Sequence, residues 1–156
     1  MAVTLPAGGA GRLTPGMLRR VARAVMRAER VSTEVGVEVA LAGSDSVREL
    51  NRLYRGRDEP TDVLSFAAAE SAVAFPETPG EAPSLGEVVV CLEVAEEQAR
   101  AAGNPVEAEA AHLVVHGLLH ILGYDHEDVA GAERMQARED ELLRGLGYAG
   151  QFSHGH

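Results

Sequence analysis

The pattern of apolar and polar residues predicts helices and strands in alternation along the chain. Residues 1–13 are typical of a short extended start followed by a glycine-rich loop. Thr14-Pro15 suits a helix N-terminus, because proline is favoured at the first helical position, and apolar residues then recur at helical spacing to about residue 29. The apolar positions expected to face inward are Leu18, Val21, Val25 and Ala28. Another face of this helix carries Arg19, Arg23, Arg27 and Arg30.

The rest of the chain follows the same two periodicities. Strands are predicted, from alternation or from runs of β-branched residues, over residues 35–43, 61–67 and 86–92. Further helices are predicted over about residues 46–55 (capped by Ser44-Asp45-Ser46), 93–102, 105–121 and 132–146. We expect a single α/β (α+β) domain over residues 1–156, with a small mixed sheet of about four strands and about five helices. Residues 68–84, rich in Ala, Pro and Glu, predict a mobile loop, and residues 149–156 a flexible tail.

Composition narrows the class of protein. The single cysteine, Cys91, leaves no disulfide framework and no cysteine-based zinc site, and it favours a reducing compartment. No run of about 18 or more apolar residues predicts a membrane span, and the N-terminal residues lack the apolar core of a signal peptide. We therefore expect a cytoplasmic protein with no membrane partner.

Charge is distributed unevenly between the two parts of the chain. The net charge is -10, and all 14 basic residues are arginine. Residues 1–57 hold 10 arginines and 5 acidic residues, whereas residues 58–156 hold 4 arginines and 19 acidic residues. This asymmetry indicates a polyanion partner for one face, although solvated helix faces give the same pattern.

The stretch HGLLHILGYDH, residues 116–126, holds three of the six histidines. On a helix, residues four apart lie on one face, so His116 and His120 can approach the same ion. Gly123 can end the helix in a left-handed conformation, after which the chain turns back and presents His126. Three imidazoles with an open fourth position are typical of a catalytic zinc site, although Ni²⁺, Cu²⁺ or Fe²⁺ would also bind.

His112 extends the same stripe of histidines by one turn. Because a helix rises by about 1.5 Å per residue, His112 and His120 lie roughly 12 Å apart along the axis and cannot bind one ion. Two interpretations stay open. His112 is a neighbour on the same face, which we favour, or it replaces one of the three ligands.

The histidine spacing also matches the metzincin protease motif H-E-x-x-H-x-x-G-x-x-H. Those proteases use the glutamate after the first histidine as the general base, and here Gly117 occupies that position. A protease would need a base from elsewhere in the chain, which makes a zinc metalloprotease-like hydrolase the weaker alternative.

HGLLHILGYDH also resembles the H-G-x-L-H-x-x-G-Y-D-H signature of the YbeY family of bacterial endoribonucleases. ELNRLYRGRDEPTDVLSF, residues 49–66, and SLGEVVVCLEVAEEQA, residues 84–99, resemble two further segments of that family. The resemblance covers most of residues 34–148. It implies an α/β fold, one zinc ion per chain, and cleavage of single-stranded RNA but not DNA. It also implies a role in 16S rRNA 3′-end maturation and in quality control of the small ribosomal subunit.

The family's functional residues are matched one by one in this sequence. The resemblance implies that His116, His120 and His126 bind the metal and that Arg55 is essential for activity, which makes these four the expected catalytic residues. One departure is Glu87, since the family often has aspartate there.

Arginines near Arg55 suggest how RNA would bind. The side chains expected to contact RNA are Arg48, Arg52, Arg55 and Arg57, of which the first three share one helical face. Arginine forks match phosphate oxygens in bidentate geometry. The alternative is surface ion pairing, with Asp58, Glu59 and Asp62 as the partners.

Three classes of function follow, and the first is favoured. A metal-dependent endoribonuclease would use the ion to acidify water and polarise a phosphoryl oxygen, while Arg55 stabilises charge in the transition state. The alternatives are the protease-like hydrolase and a ribosome-assembly factor that acts mainly by binding. Near the third histidine, Asp125 is interpreted as a turn residue or a partner of a ligand. Tyr124 either contacts RNA, by stacking on a base or donating to a phosphate, or packs across the turn, which we favour.

Overall fold

The computed structural model describes residues 2–6, 11–68 and 83–148, and within them four strands and five helices form the expected α/β arrangement. The strands are β1 (Ala2–Thr4), β2 (Gly36–Ala42), β3 (Val63–Ala67) and β4 (Ser84–Cys91). The helices are α1 (Pro15–Ala28), α2 (Ser44–Arg55), α3 (Leu92–Ala102), α4 (Val106–Ile121) and α5 (Val129–Gly145). No helix in this part of the chain is long and apolar enough to cross a membrane.

The strands form one mixed sheet in the order β1-β2-β4-β3. β2 runs parallel to both β1 and β4, whereas β3 runs antiparallel to β4, with Val63 opposite Val90. At the far end of this pair Gly86 has a φ of 145°, and a Cβ there would collide with the carbonyl oxygen of Phe66. Only glycine fits at this position, so Gly86 permits the close pairing of β3 and β4.

The two faces of the sheet are packed unequally. The main core joins one face of β2 and β4 to α1, α4 and α5. The other face is covered by α2, and its smaller core consists of Val47, Leu64, Phe66, Val89 and Cys91. α4 is the central helix, because all its residues from 108 to 119 are buried and it contacts α1, α3, α5, β3 and β4. This burial explains why its sequence is apolar on nearly every side.

Two helices begin earlier than the sequence predicted. α5 begins at Val129 instead of about residue 132, because the side chain of Asp128 accepts the backbone N–H of Gly131 as an N-cap. α2 begins at Ser44, and the expected cap from the Ser-Asp-Ser triplet was wrong. The backbone N–H and the hydroxyl of Ser44 donate instead to Oε2 of Glu93, at 2.7 and 2.9 Å.

Two further predictions concern the buried face of α1 and the loop before β4. Ala28 is exposed, so its predicted place in the core was wrong, and α1 buries Ala22 and Met26 in addition to the predicted leucine and valines. β4 already begins at Ser84, the last residue of the predicted loop. The greater part of that loop, residues 69–82, and the predicted tail, residues 149–156, lie outside the described residues.

Gly117 sets the distance between α4 and the sheet. A Cβ at this position would lie 2.8 Å from Cγ1 of Val88 and 3.4 Å from Cγ2 of Val63. Position 117 therefore faces β3 and β4, and the absence of a side chain lets the helix lie close to both strands. The neighbouring His116 is placed by the same close packing.

We expect Gly117→Ala to lower the free energy of unfolding by about 1–3 kcal/mol, because the added methyl overpacks the contact with Val88. Gly16→Ala in α1 is the matched control, since a Cβ there meets nothing within 4 Å. The control should be neutral or stabilising by up to about 1 kcal/mol, through helix propensity alone. Urea unfolding of both variants measures the difference. Equal stabilities would contradict the close packing of α4 on β4.

Candidate functional site

The end of α4 and the turn after it bring the three histidines of the HGLLHILGYDH stretch together. α4 ends at Ile121, and Gly123 follows with a φ of 104°, which confirms the predicted left-handed conformation. The backbone N–H of Tyr124 then donates to the carbonyl oxygen of Leu119 at 3.0 Å, so the chain folds back along the helix that it has just left.

His126 returns to lie against both helical histidines. Its ring stacks on the ring of His116, with centroids 5.6 Å apart and an interplanar angle of 19°, and lies 6.1 Å from the ring of His120. His116 is buried, His126 is half-buried and His120 is exposed, so the cluster spans from core to surface. Among the residues described, no three His, Cys, Asp or Glu side chains are already arranged to hold a metal ion. The ligand assignment stays a prediction.

The turn that carries His126 is held against the start of α5. A Cβ at Gly131 would collide with the carbonyl oxygen of Asp125, so the turn and the helix touch where glycine leaves room. Within the turn, Oδ1 of Asp125 accepts the backbone N–H of Glu127 at 2.9 Å. Asp125 is therefore a turn residue, one of the two roles predicted for it.

Glu139 of α5 is a member of the site that the sequence analysis missed. Its Oε1 lies 2.8 Å from Nδ1 of His116, and its Oε2 lies 3.2 Å from Nε2 of His112. Glu139 is only 2% exposed, which means that a carboxylate is buried between two imidazoles. Glu139 lies on the buried face of α5, together with Met135 and Leu142. An acidic residue among apolar ones at helical spacing was the sequence signal that could have identified it.

The hydrogen bond from His116 to Glu139 has a chemical consequence. When Nδ1 of the neutral ring donates to the carboxylate, the lone pair of the ring belongs to Nε2. A carboxylate that fixes the tautomer and orientation of a histidine in this way is the usual partner of a metal-binding imidazole. Glu139 thus prepares His116 for the role that the spacing predicted.

His112 is fully buried beside this pair. Burial lowers the pKa of His112, but the hydrogen bonds and charges of Glu109 and Glu139 outweigh it and raise the pKa to about 9. Burial raises the pKa of Glu139, but its hydrogen bonds to His112 and His116 hold the pKa well below the usual range. His112 therefore lies in the core and shares a carboxylate with His116, in keeping with the interpretation of a neighbour on the same face.

Arg55, in the last turn of α2, is fixed over β3. Its Nη2 donates to the carbonyl oxygen of Ser65 at 2.8 Å, and its guanidinium carbon lies 5.0 Å from the centroid of the Phe66 ring. Two residues earlier in β3, Val63 lies against position 117 of α4, next to His116. One strand therefore supports both the arginine and the helix of the histidines.

Two of the other arginines predicted to bind RNA are paired with carboxylates. Arg48 donates to both oxygens of Asp58, at 2.8 and 3.2 Å, and Arg52 donates to both oxygens of Glu49, at 3.2 and 2.6 Å. The ion-pair alternative is thus correct for Asp58. Arg57 is exposed, like the other three arginines, and exposed ion pairs are weak enough to exchange for other anions.

The other predicted partners and neighbours have structural roles. Asp62 is buried and accepts the backbone N–H of Val63 at 2.8 Å. Tyr124 packs against the main core, and burial together with the carboxylate of Glu29 raises the pKa of its hydroxyl, which favours the packing interpretation. Cys91 is fully buried in the smaller core, where burial raises the pKa of its thiol.

Comparison with known proteins agrees with the sequence motifs. The family model described as Endoribonuclease YbeY matches residues 14–147. A protein named Endoribonuclease YbeY from Moorella thermoacetica is 44% identical over 132 residues, which cover 83% of this chain and 85% of the relative. The protein of that name from Azoarcus is 43% identical over 136 residues, 87% of this chain and 51% of the relative. The chain thus spans most of the first relative and about half of the second.

The fold is also similar to a solved structure. The solution structure of a Thermotoga maritima protein aligns with a TM-score of 0.60 at 30% identity, covering 94% of this chain and 89% of that one. The likeness therefore extends over nearly the whole chain.

We expect Glu139→Gln to lower the free energy of unfolding by about 1–3 kcal/mol in metal-free protein, since it removes the buried charge and leaves one acceptor oxygen where two imidazoles used two. Glu141→Gln is the matched control, because its side chain is 68% exposed and its ion pair with Arg138 is on the surface. The control should change stability by less than about 0.5 kcal/mol. Chemical unfolding in the presence of a chelator measures both, and equal effects would contradict the central position of Glu139.

Proposed function

The chain belongs to the endoribonuclease YbeY family, and from that premise we propose that it is a metal-dependent endoribonuclease that cuts single-stranded RNA. Its proposed role is maturation of the 3′ end of 16S rRNA and quality control of the small ribosomal subunit, in the cytoplasm. The observation that supports this proposal best is the set of three histidine rings at the end of α4, one of them oriented by a buried carboxylate.

The proposed metal is one Zn²⁺ per chain, with His116, His120 and His126 as ligands. Three imidazoles with no cysteine suit a catalytic zinc site, and the hydrogen bond from His116 to Glu139 is the expected support for a ligand. When bound, the ion would supply a Lewis acid for a phosphoryl oxygen and a water of lowered pKa. The part played by Glu139 is to hold the proton on Nδ1 of His116.

Arg55 is the proposed stabiliser of phosphate charge. The carbonyl oxygen of Ser65 and the ring of Phe66 fix its guanidinium, so little side-chain entropy is lost when a phosphate binds. A fixed cation beside a developing negative charge acts without reorganisation during the reaction. Arg48, Arg52 and Arg57 are proposed to contact the RNA backbone, the first two by exchanging their surface carboxylates for phosphates.

The geometry of position 117 argues against a protease mechanism. A Cβ there lies against Val88, so a carboxylate at this position would be directed at the sheet and not at the histidines. The general base of the metzincins therefore has no counterpart at this position. This leaves RNA as the proposed substrate, in accordance with the family name.

The proposal predicts that purified protein with about one zinc per chain cleaves a single-stranded rRNA fragment. His116→Ala should remove both the metal and the cleavage. Arg55→Glu should retain the metal and lose cleavage by about 100-fold or more, the scale of one lost electrostatic group. Arg100→Glu is the control for charge. It lies in the last turn of α3, which leads to the start of α4, the opposite end from His120.

The assay is RNA cleavage, with metal content measured on the same samples and folding checked by circular dichroism. Cleavage that persists equally in His116→Ala and Arg55→Glu would contradict the nuclease proposal. Loss of metal from folded His116→Ala without any cleavage by the wild type would favour a factor that acts mainly by binding. Digestion of casein by the wild type would favour a protease.

A second prediction concerns Glu139. Glu139→Gln should weaken zinc binding by about 10–100-fold, because the amide does not hold the proton on Nδ1 of His116 as the carboxylate does. Glu141→Gln should leave the affinity unchanged. Competition with a chromogenic chelator gives both dissociation constants. An unchanged affinity in Glu139→Gln would mean that His116 is not a ligand or that the carboxylate does not support it.

A further inference from the structure

We propose that the arginine face of α1 is a second binding surface for the phosphate backbone of RNA, separate from the histidine cluster and from α2. The surface is defined by Arg20, Arg23 and Arg27. This inference rests on the proposed nuclease function for the identity of the polyanion, and it is argued from the charges and cavities of α1.

α1 is basic to an unusual degree for this chain. Its residues, Pro15–Ala28, include four arginines and no acidic residue, in a protein whose net charge is -10. Within residues 11–68 and 83–148, no carboxylate forms an ion pair with Arg20, Arg23 or Arg27. By contrast, Arg48, Arg52 and Arg138 each pair with a carboxylate. Charges left without local compensation are the ones available to an external polyanion.

The surface is concave as well as basic. Arg20, Arg23 and Arg27 line a cavity of about 320 Å³ together with Ala24 and Leu146. Arg23 and Arg27 also line a second cavity of about 340 Å³, on the side of Met26 and Val31. Two arginines therefore stand between two recesses whose walls are partly apolar. The guanidinium groups can bind phosphates, and the apolar walls beside them can contact the sugars and bases of a single strand.

The α5 end of this surface is held in place by Arg20. Its guanidinium donates to the carbonyl oxygen of Leu146 at 3.3 Å and to the hydroxyl of Tyr148 at 3.2 Å, and lies 5.5 Å from the centroid of the Tyr148 ring. Arg20 is thus an anchor between α1 and the end of α5. Arg23 and Arg27 are the residues to vary in a test, because no such contacts constrain them among the described residues.

The C-terminal end of α1 adjoins the turn after α4 that carries His126. Arg138 of α5 binds both Glu29, at 2.8 Å, and the carbonyl oxygen of Ala28, at 3.0 Å. The carboxylate of Glu29 in turn lies beside Tyr124, two residues before His126. Since Arg20 and Arg27 are seven residues apart, the surface extends for roughly 10 Å along α1. A strand bound at the histidines can therefore continue along α1, and long RNAs should gain contacts that short ones lack.

The test compares wild-type protein with the double variant Arg23→Gln, Arg27→Gln. Binding of single-stranded RNA is measured by fluorescence anisotropy over a series of salt concentrations, with RNAs of about 4 and about 16 nucleotides, the range covered by single-strand-binding modules. The slope of log K against log salt should fall by about 1.4 for the longer RNA, at about 0.7 per lost phosphate contact. Affinity at low salt should fall roughly tenfold for the longer RNA only. The rate of cleavage of the short RNA should be unchanged.

Two controls separate charge from structure. Arg23→Lys, Arg27→Lys keeps both charges and should keep the salt slope of the wild type, since the slope counts charges. Arg100→Gln removes one arginine from the last turn of α3 and should leave the binding of both RNAs unchanged. All variants are checked for stability by urea unfolding, so that a folding defect is not mistaken for a lost contact.

The outcomes distinguish this inference from the nuclease proposal. If the wild type cleaves RNA and the double Gln variant has the same salt slope and affinity for the longer RNA, the surface on α1 is overturned and the nuclease proposal stands. If the wild type binds but does not cleave RNA, and the double Gln variant has a reduced salt slope, the surface is supported and the nuclease proposal fails. If the double variant loses binding to phosphatidylserine vesicles while RNA binding is unchanged, the surface belongs to a membrane and the inference is overturned.

Discussion

The buried carboxylate of Glu139 is the interaction on which the candidate site depends. A charged group at 2% exposure is costly unless it is paired, and Glu139 is paired with two imidazoles of α4 at 2.8 and 3.2 Å. The pairing joins α5 to α4 at the level of His116, next to Gly117, where α4 packs directly on Val88 and Val63 of the sheet. The first histidine is therefore held from two sides, by a carboxylate and by backbone packing. The third histidine stacks on the ring of the first, and the second lies one turn farther along α4, at the surface.

The distribution of charge determines which faces of the protein attract RNA. A protein with a net charge of -10 repels RNA on average, so binding needs local surfaces of opposite sign. α1 and α2 supply them in different ways. The arginines of α2 are partly compensated by Asp58 and Glu49, whereas α1 contains no acidic residue. The acidic remainder would confine a bound polyanion to the two basic helices, so that electrostatics would orient the RNA before any base is contacted.

The sequence predicted what depends on local spacing. Three strands, the five helices and the turn at Gly123 follow from periodicity, glycine and proline within a few residues of each element, and β1 lies within the predicted extended start. What it missed depends on contacts between distant residues. Glu139 lies 23 residues from His116, and the carboxylate that caps α2 comes from Glu93, 49 residues after Ser44. The predicted burial of Ala28 was wrong for a related reason. At the end of α1, the apolar pattern alone does not show where the neighbouring helices stop. The ligand set and the RNA contacts stay predictions, because their test requires the ion and the RNA.

Gly117 connects the fold to the choice of chemistry. In zinc peptidases with this histidine spacing, the residue after the first histidine is the glutamate that acts as the general base, so this position distinguishes them from other hydrolases. In this chain a Cβ at position 117 would lie 2.8 Å from Cγ1 of Val88, so a side chain there would be directed at the sheet and would not place a base at the histidines. The charged group that the structure does fix near the shared strand is Arg55, a cation held over Phe66 by the carbonyl oxygen of Ser65. A cation that a carbonyl oxygen and an aromatic ring hold in place suits an anionic phosphodiester better than a neutral peptide bond, because its attraction grows as charge develops on the phosphate. The same packing that brings the helix onto the sheet thus favours RNA as the substrate.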